Sequence, residues 1–220
     1  WRQSARAERV FIRETEWEAA QSVALWSQTG PGMAWRSRDD LPRKQDRADV
    51  LLLALGALLL RGGERLRAFG ARRAFTGQGA LVALAGFLPH QSPVPSDASL
   101  PRHARLVLFG DFLAPLAETR RQVAALAAQG LRGHMLQILD PAEETLPFAG
   151  HTRFEDPAGG APAPVPRVES IRAPYLAALA RHRAGLQALT AAAGWSFATH
   201  RTDHAPGAAL LALYQRLAPG

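Results

Sequence analysis

The stretch Arg105-Leu106-Val107-Leu108-Phe109-Gly110-Asp111-Phe112 (RLVLFGDF) decides how this chain folds. It is the most strand-like segment present, an unbroken apolar run closed by a glycine and an acid. A helical pattern over Pro115–Gln129 follows and stops at Gly130, and the chain then returns to a strand-like run at His134–Asp140 (HMLQILD). Strand, helix and strand in that order argue for a parallel pair joined by a crossover.

Working outward, the alternation persists. Upstream, Gln21–Gln28 (QSVALWSQ) reads as a buried strand and Asp46–Arg61 as a helix closed by Gly62-Gly63. Glu64–Gly70 and Arg72–Phe75 read as neighbouring short strands, in the manner of a hairpin, and Gly77–Leu88 as a helix. Arg9–Arg13 (RVFIR) alternates and suggests a further strand. Pro89–His103, with four prolines, is a linker. Downstream, Asp156–Pro166 is irregular, Tyr175–Ala193 a helix, Trp195–His200 a strand and Pro206–Leu217 a closing helix. The expected class is therefore α/β: one domain over residues 1–220, with an open, mostly parallel sheet covered by helices on both faces.

Composition bounds the function. Apolar residues make up 47% of the 220 and charged residues 20%, as in a globular protein. With no cysteine there is no disulfide and no thiolate chemistry, which fits a reducing, cytoplasmic setting. The longest apolar run, Val50–Leu60, has 11 residues against the roughly 20 that a membrane helix requires. The net charge of +7 suggests nucleic acid at first sight, but the arginines are scattered and many adjoin acids, as in Arg13-Glu14 and Asp46-Arg47. Only Lys44 among the 26 basic residues is a lysine, the bias of a GC-rich coding sequence rather than of a phosphate-binding surface. A nucleic-acid partner is not expected.

Several segments together resemble the bacterial "domain of unknown function 58" family: WRQSAR, FIRETEWEAA, LLLALGALLLRGGER, VLFGDFLAP, LDPAEETLPFAGHTRFED and HRTDHAPGAALLALYQRL, collinear over nearly the whole chain. Trp1-Arg2 resembles the second half of that family's Asp-Trp-Arg motif, so a segment before Trp1 is expected to be missing. The resemblance implies a von Willebrand factor A-like fold with six strands. It also implies association with MoxR-type AAA+ ATPases that help to assemble or activate other proteins.

Von Willebrand A domains commonly hold Mg2+ or Mn2+ at the top of the sheet, on an Asp-x-Ser-x-Ser loop, a Thr from a second loop and a later Asp. If Met33 ends the first loop, those positions fall on Gln28, Gly30 and Gly32 in LWSQTGPGM. Asp111 matches the later Asp, with Gly110 where many relatives have Ser, and Thr76 is the candidate second-loop hydroxyl. An amide, two glycines and one carboxylate make a poor site for a hard cation. The expectation is a degenerate adhesion site with no cofactor.

In such sheets ligands collect beyond the carboxyl ends of the strands. That directs attention to Gln28–Gly32, Asp111, Asp140–Glu144 (DPAEE) and His200–His204 (HRTDH). Asp140 reads either as a second carboxylate beside Asp111 or as a turn opener that accepts backbone N–H bonds. His200 and His204 lack the helical spacing of a zinc pair, and Asp203 suits the cap of the last helix. Trp26, Met33, Trp35 and Phe112 are either an exposed docking patch or part of the helix–sheet seam.

The leading expectation is a non-enzymatic protein-interaction domain whose partner is a MoxR-type ATPase or its client. The alternatives are a Mg2+- or Mn2+-dependent adhesion module using Asp111, and a hydrolase built on Asp111 and the DPAEE turn.

Overall fold

The computed structural model describes residues 22–69, 71, 73–77, 79–88, 100, 101, 104–156 and 159–217. The expected strand at Arg9–Arg13 lies outside them. Five parallel strands form the sheet: β1 (Ser22–Ser27), β2 (Arg65–Ala68), β3 (Arg105–Gly110), β4 (Arg132–Leu139) and β7 (Ser196–Arg201), in the spatial order β2-β1-β3-β4-β7. The helices are α1 (Lys44–Arg61), α2 (Ala80–Phe87), α3 (Leu116–Ala128), α4 (Pro141–Thr145), α5 (Val168–Ala192) and α6 (Pro206–Leu217), and a two-stranded ribbon pairs β5 (Thr152–Phe154) with β6 (Ala163–Val165).

Alternation along the central strands builds two cores. Val23 and Leu25 of β1 and Val107 and Phe109 of β3 face Leu51, Leu52, Leu55 and Leu59 of α1, joined by Leu84 of α2 and Leu213 and Leu217 of α6. Ala24, Trp26, Leu106 and Leu108 face the other way, onto Val123 and Leu126 of α3 and Leu186 and Leu189 of α5. The helix–sheet class expected from the sequence is therefore present. A sixth sheet strand is not found among the described residues. Arg72–Phe75 contributes one antiparallel bridge, Phe75 to Leu66, because Phe75 is the only large apolar side chain of that segment to bury.

α5 begins at Val168, seven residues earlier than the sequence pattern suggests, and runs through Pro174. A proline inside a helix removes one backbone bond. Here side-chain bonds secure the same turns: Arg172 donates to the carbonyls of Leu146 and Phe148, and the Tyr175 hydroxyl donates to that of Glu143 (2.7 Å). At the far end Gly194, with φ of +69°, takes the left-handed position that ends the helix.

Two connections position the functional end of the sheet. From β1 the chain passes through α1 to β2 on one side, then crosses to β3 on the other. The order reverses between β1 and β3, and residues 28 and 111 follow these strands directly. No helix among the described residues is long and apolar enough to cross a membrane.

Candidate functional site at the switch point

Gln28 and Asp111 meet across the reversal. The Gln28 amide nitrogen donates to Asp111 Oδ1 (2.9 Å), and its oxygen accepts from the Phe112 backbone N–H (3.3 Å). Gly110 makes this possible, because a Cβ there would lie 2.9 Å from Gln28 Cβ and closer still to its Oε1. A long amide at 28 and a glycine at 110 are thus one arrangement, and a serine at 110 would not fit beneath the amide. Phe112 takes a left-handed φ of +48°, a strained conformation for a bulky residue. Its carbonyl is bonded by His182 Nε2 of α5 (2.7 Å), and the Asp111 carbonyl accepts from Gln137 Nε2 (2.8 Å).

The remaining oxygen of Asp111 bonds a residue that the motif comparison does not single out. Lys44 Nζ donates to Asp111 Oδ2 (3.0 Å) and to Glu143 Oε1 (2.6 Å), and the lysine is 1% exposed. A lysine at the first turn of a helix points its charge at the positive end of the helix dipole, the wrong end for a cation. Two carboxylates from other segments outweigh that local cost. Glu143 in turn serves twice, since its Oε2 accepts the Asp140 backbone N–H (2.9 Å). Burial pushes the Glu143 carboxyl above the ordinary glutamate range, and the neighbouring ammonium offsets only part of the rise.

The other expected residues divide. Asp140 is fully buried and does not touch the cluster as a ligand. It caps α4, accepting Ala142 N–H (2.8 Å) on one oxygen and Ser37 N–H (2.9 Å) on the other, the turn-opening alternative. Gly32 lies against the cluster, where a Cβ would stand 3.4 Å from Asp111 Oδ2. Gly30, with φ of +127°, is exposed and shapes the loop through its carbonyl, which accepts from Met33 and Ala34. Thr76 is exposed and stays apart: the chain at Phe75 runs antiparallel to β2, so residue 76 heads for that strand's amino end.

Trp26, Met33 and Phe112 are core residues, 4%, 1% and 6% exposed, so they form the seam rather than an exposed patch. Asp203 pairs with Arg201 (2.6 Å) beyond β7. Sequence reasoning also overlooked the α5 residues that brace the loops: His182, Tyr175, and Arg183, which bonds Gln137 Oε1 (3.1 Å) and pairs with Glu144. Sequence reasoning missed Lys44 as well, and the signal that could have found it is that it is the one lysine in a chain that otherwise uses arginine. Arginine cannot replace it easily, because a planar guanidinium is longer and broader than the point charge held here.

A divalent cation, implied by the resemblance above, does not fit this arrangement. Asp111 Oδ2 and Glu143 Oε1 converge on an ammonium that already fills the space between them, and Asp111 Oδ1 is occupied by the Gln28 amide. No group of three or more His, Asp or Glu able to hold a metal ion occurs among the described residues.

A family model described as "Protein of unknown function DUF58" matches residues 1–79 and 96–185. Curated proteins give no match. Among solved structures, the conserved hypothetical protein BatB from Bacteroides thetaiotaomicron is similar at 14% identity and a TM-score of 0.49, over 90% of this chain and 97% of that one. An uncharacterized membrane spanning protein from Vibrio fischeri is similar at 14% identity and a TM-score of 0.24, over 91% and 100% of the two chains.

Proposed function

This chain belongs to the family of proteins of unknown function DUF58, and we propose that it acts as a non-enzymatic interaction domain that docks a protein partner at the carboxyl ends of its strands. One observation carries this proposal: the ionisable groups at the switch point, Lys44 and Asp111 buried and Glu143 partly so, are bonded to one another. Lys44, Asp111 and Glu143 satisfy each other, and Asp140 is spent on backbone N–H groups. The exposed residues that directly follow β1 and β3 are uncharged, Thr29-Gly30-Pro31 on one side and Leu113-Ala114-Pro115 on the other. Between these lips runs a groove of about 210 Å3 bordered by Gln28, Thr29, Ala114, Glu118 and Gln122. Leu113 stands 40% exposed beside it. An apolar side chain within a polar rim suits recognition of another surface.

The partner to test is a MoxR-type AAA+ ATPase, named by the family resemblance alone. Leu113→Asp places a charge on the rim at an exposed side chain. Retention of the ATPase in a co-purification under ATP or ADP is expected for wild type and reduced about tenfold, roughly 1.4 kcal/mol, for the variant. Absence of the ATPase from the wild-type eluate under both nucleotides would remove the partner assignment. Equal retention by Leu113→Asp would remove the face. An acid–base catalyst built on Asp111 and Glu143 is the weaker alternative, because Lys44 engages both carboxylates and leaves neither poised toward a substrate.

A further inference from the structure

Burying a carboxylate is costly unless an opposite charge accompanies it, and burying two within reach of one ammonium makes each depend on that ammonium. The sheet imposes this situation. Asp111 is fixed by the Gln28 amide and by Gln137 on its carbonyl, and Glu143 by the cap it forms on the Asp140 N–H. Neither carboxylate can swing out to water without breaking bonds that shape its loop. One positive charge must therefore sit between them. Lys44, on a third segment, delivers it at 3.0 and 2.6 Å.

We propose that Lys44 is a tethered cation: its ammonium does at this switch point what a bound divalent ion does between converging carboxylates, so the face is assembled without any dissociable metal. The assignment explains two features together. Lysine persists at one position in an arginine-rich chain because only a compact ammonium fits. It sits at the unfavourable end of α1 because the carboxylates, and not the helix, fix its place.

The corollary is that emptying the position should restore a site. Mg2+ and Mn2+ are held in many proteins by one or two carboxylates and several waters. Lys44→Ala leaves Asp111 and Glu143 facing a cavity the size of the lost side chain, open to water and to such an ion. The experiment compares wild type, Lys44→Ala and Lys44→Ala/Asp111→Ala, in EDTA and in Mn2+, reading the thermal unfolding midpoint and Mn2+ uptake by calorimetry. Wild type is expected to take up no Mn2+ at this site and to melt identically in both buffers. Lys44→Ala is expected to melt lower in EDTA, to bind Mn2+ saturably where wild type does not, and to recover a large part of its midpoint in Mn2+. The double variant is expected to lose both the uptake and the recovery.

Uptake of Mn2+ by wild type that disappears in Asp111→Ala would overturn the proposal, since the ammonium would then be displaceable. Indifference of Lys44→Ala to Mn2+ would overturn it equally, whether that variant is folded or unfolded, because no cation would then replace the lysine. The outcome is independent of which protein docks on the rim.

Discussion

Lys44, Asp111 and Glu143 behave as one unit because Lys44 and Asp111 are buried, Glu143 is partly so, and each leans on the others. Removing one partner from such a group leaves the rest charged and unpaired, at a cost of about 3–5 kcal/mol. Lys44→Met, which keeps the volume of the stem, is therefore expected to lower the unfolding free energy by about that amount in urea titrations. The triple change Lys44→Met/Asp111→Asn/Glu143→Gln removes all three charges and should recover most of the loss. A single variant as destabilised as the triple would show that packing, and not charge, sets the cost. Asp111, Gln28 and the DPAEE turn were legible from position alone, because strand ends beside an order reversal gather polar residues. Lys44 was not, since a charge at a helix start is ordinarily a solvated one and nothing nearby in sequence reveals two carboxylates 67 and 99 positions away.

At the scale of elements, strands are legible where the hydrophobic run is continuous, as in β3 and most of β4, and less so where burial depends on a neighbour. The start of β4 at Arg132 shows why. Gly133 leaves space for the Trp195 ring, whose indole N–H bonds the Leu131 carbonyl (3.0 Å), so a gap in one strand is filled from the approach to another. α5 was shortened at Pro174 because the backbone rule is local, whereas the bonds that carry the helix past the proline come from the loops after β4.

The β4–β7 seam also carries a pH signature. His134 on β4, bonded to the Ser196 hydroxyl on β7 (2.7 Å), is pushed down to about 4 by burial and then by Arg105 and Arg216. His200 is pushed to about 4 by burial, with Arg47 and His204 adding to it. Each binds a proton more readily when unfolded, so the unfolded chain gains protons between pH 6.5 and 4 and stability falls as the pH drops through that window. His134→Phe should remove about 2 kcal/mol of that acid loss, after discounting for its partial exposure, in urea midpoints taken across the window. Glu143, raised above 4.5, works in the opposite sense, with stability present below that value and declining as the pH climbs past it. The variant's slope relative to wild type, and not the wild-type slope alone, isolates the histidine. An unchanged slope in His134→Phe would place the acid sensitivity elsewhere.

At the scale of the molecule, α6 is what closes the face that α1 would otherwise present to water. Leu213 and Leu217 join the α1 core, Arg105 bonds the carbonyls of Arg216 (3.3 Å) and Leu217 at the helix end, and Arg47 of α1 bonds the Thr202 carbonyl just before it (2.8 Å). Cations at a helix carboxyl terminus are well placed. Truncation before Pro206 is expected to bare this surface, giving dye binding typical of exposed apolar clusters and loss of near-ultraviolet dichroism while far-ultraviolet signal persists. Retention of a cooperative melt near the full-length midpoint would mean that α6 is dispensable. The overall class was visible in the sequence because it depends on the order of periodic segments. That Arg72–Phe75 makes a bridge and not a strand was not, because it depends on whether one phenylalanine suffices to make a strand.

A lysine that cannot drift to arginine also leaves a mark readable without coordinates. Every other Lys/Arg position of the sequence is arginine, and position 44 alone carries the compact ammonium. Across relatives, the letter at that column, taken together with acids at columns 111 and 143, becomes a one-character sorting rule. Chains that keep all three carry their cation in the gene. Chains that keep the acids and lose the lysine are expected to take one from the medium, and their docking should follow its supply.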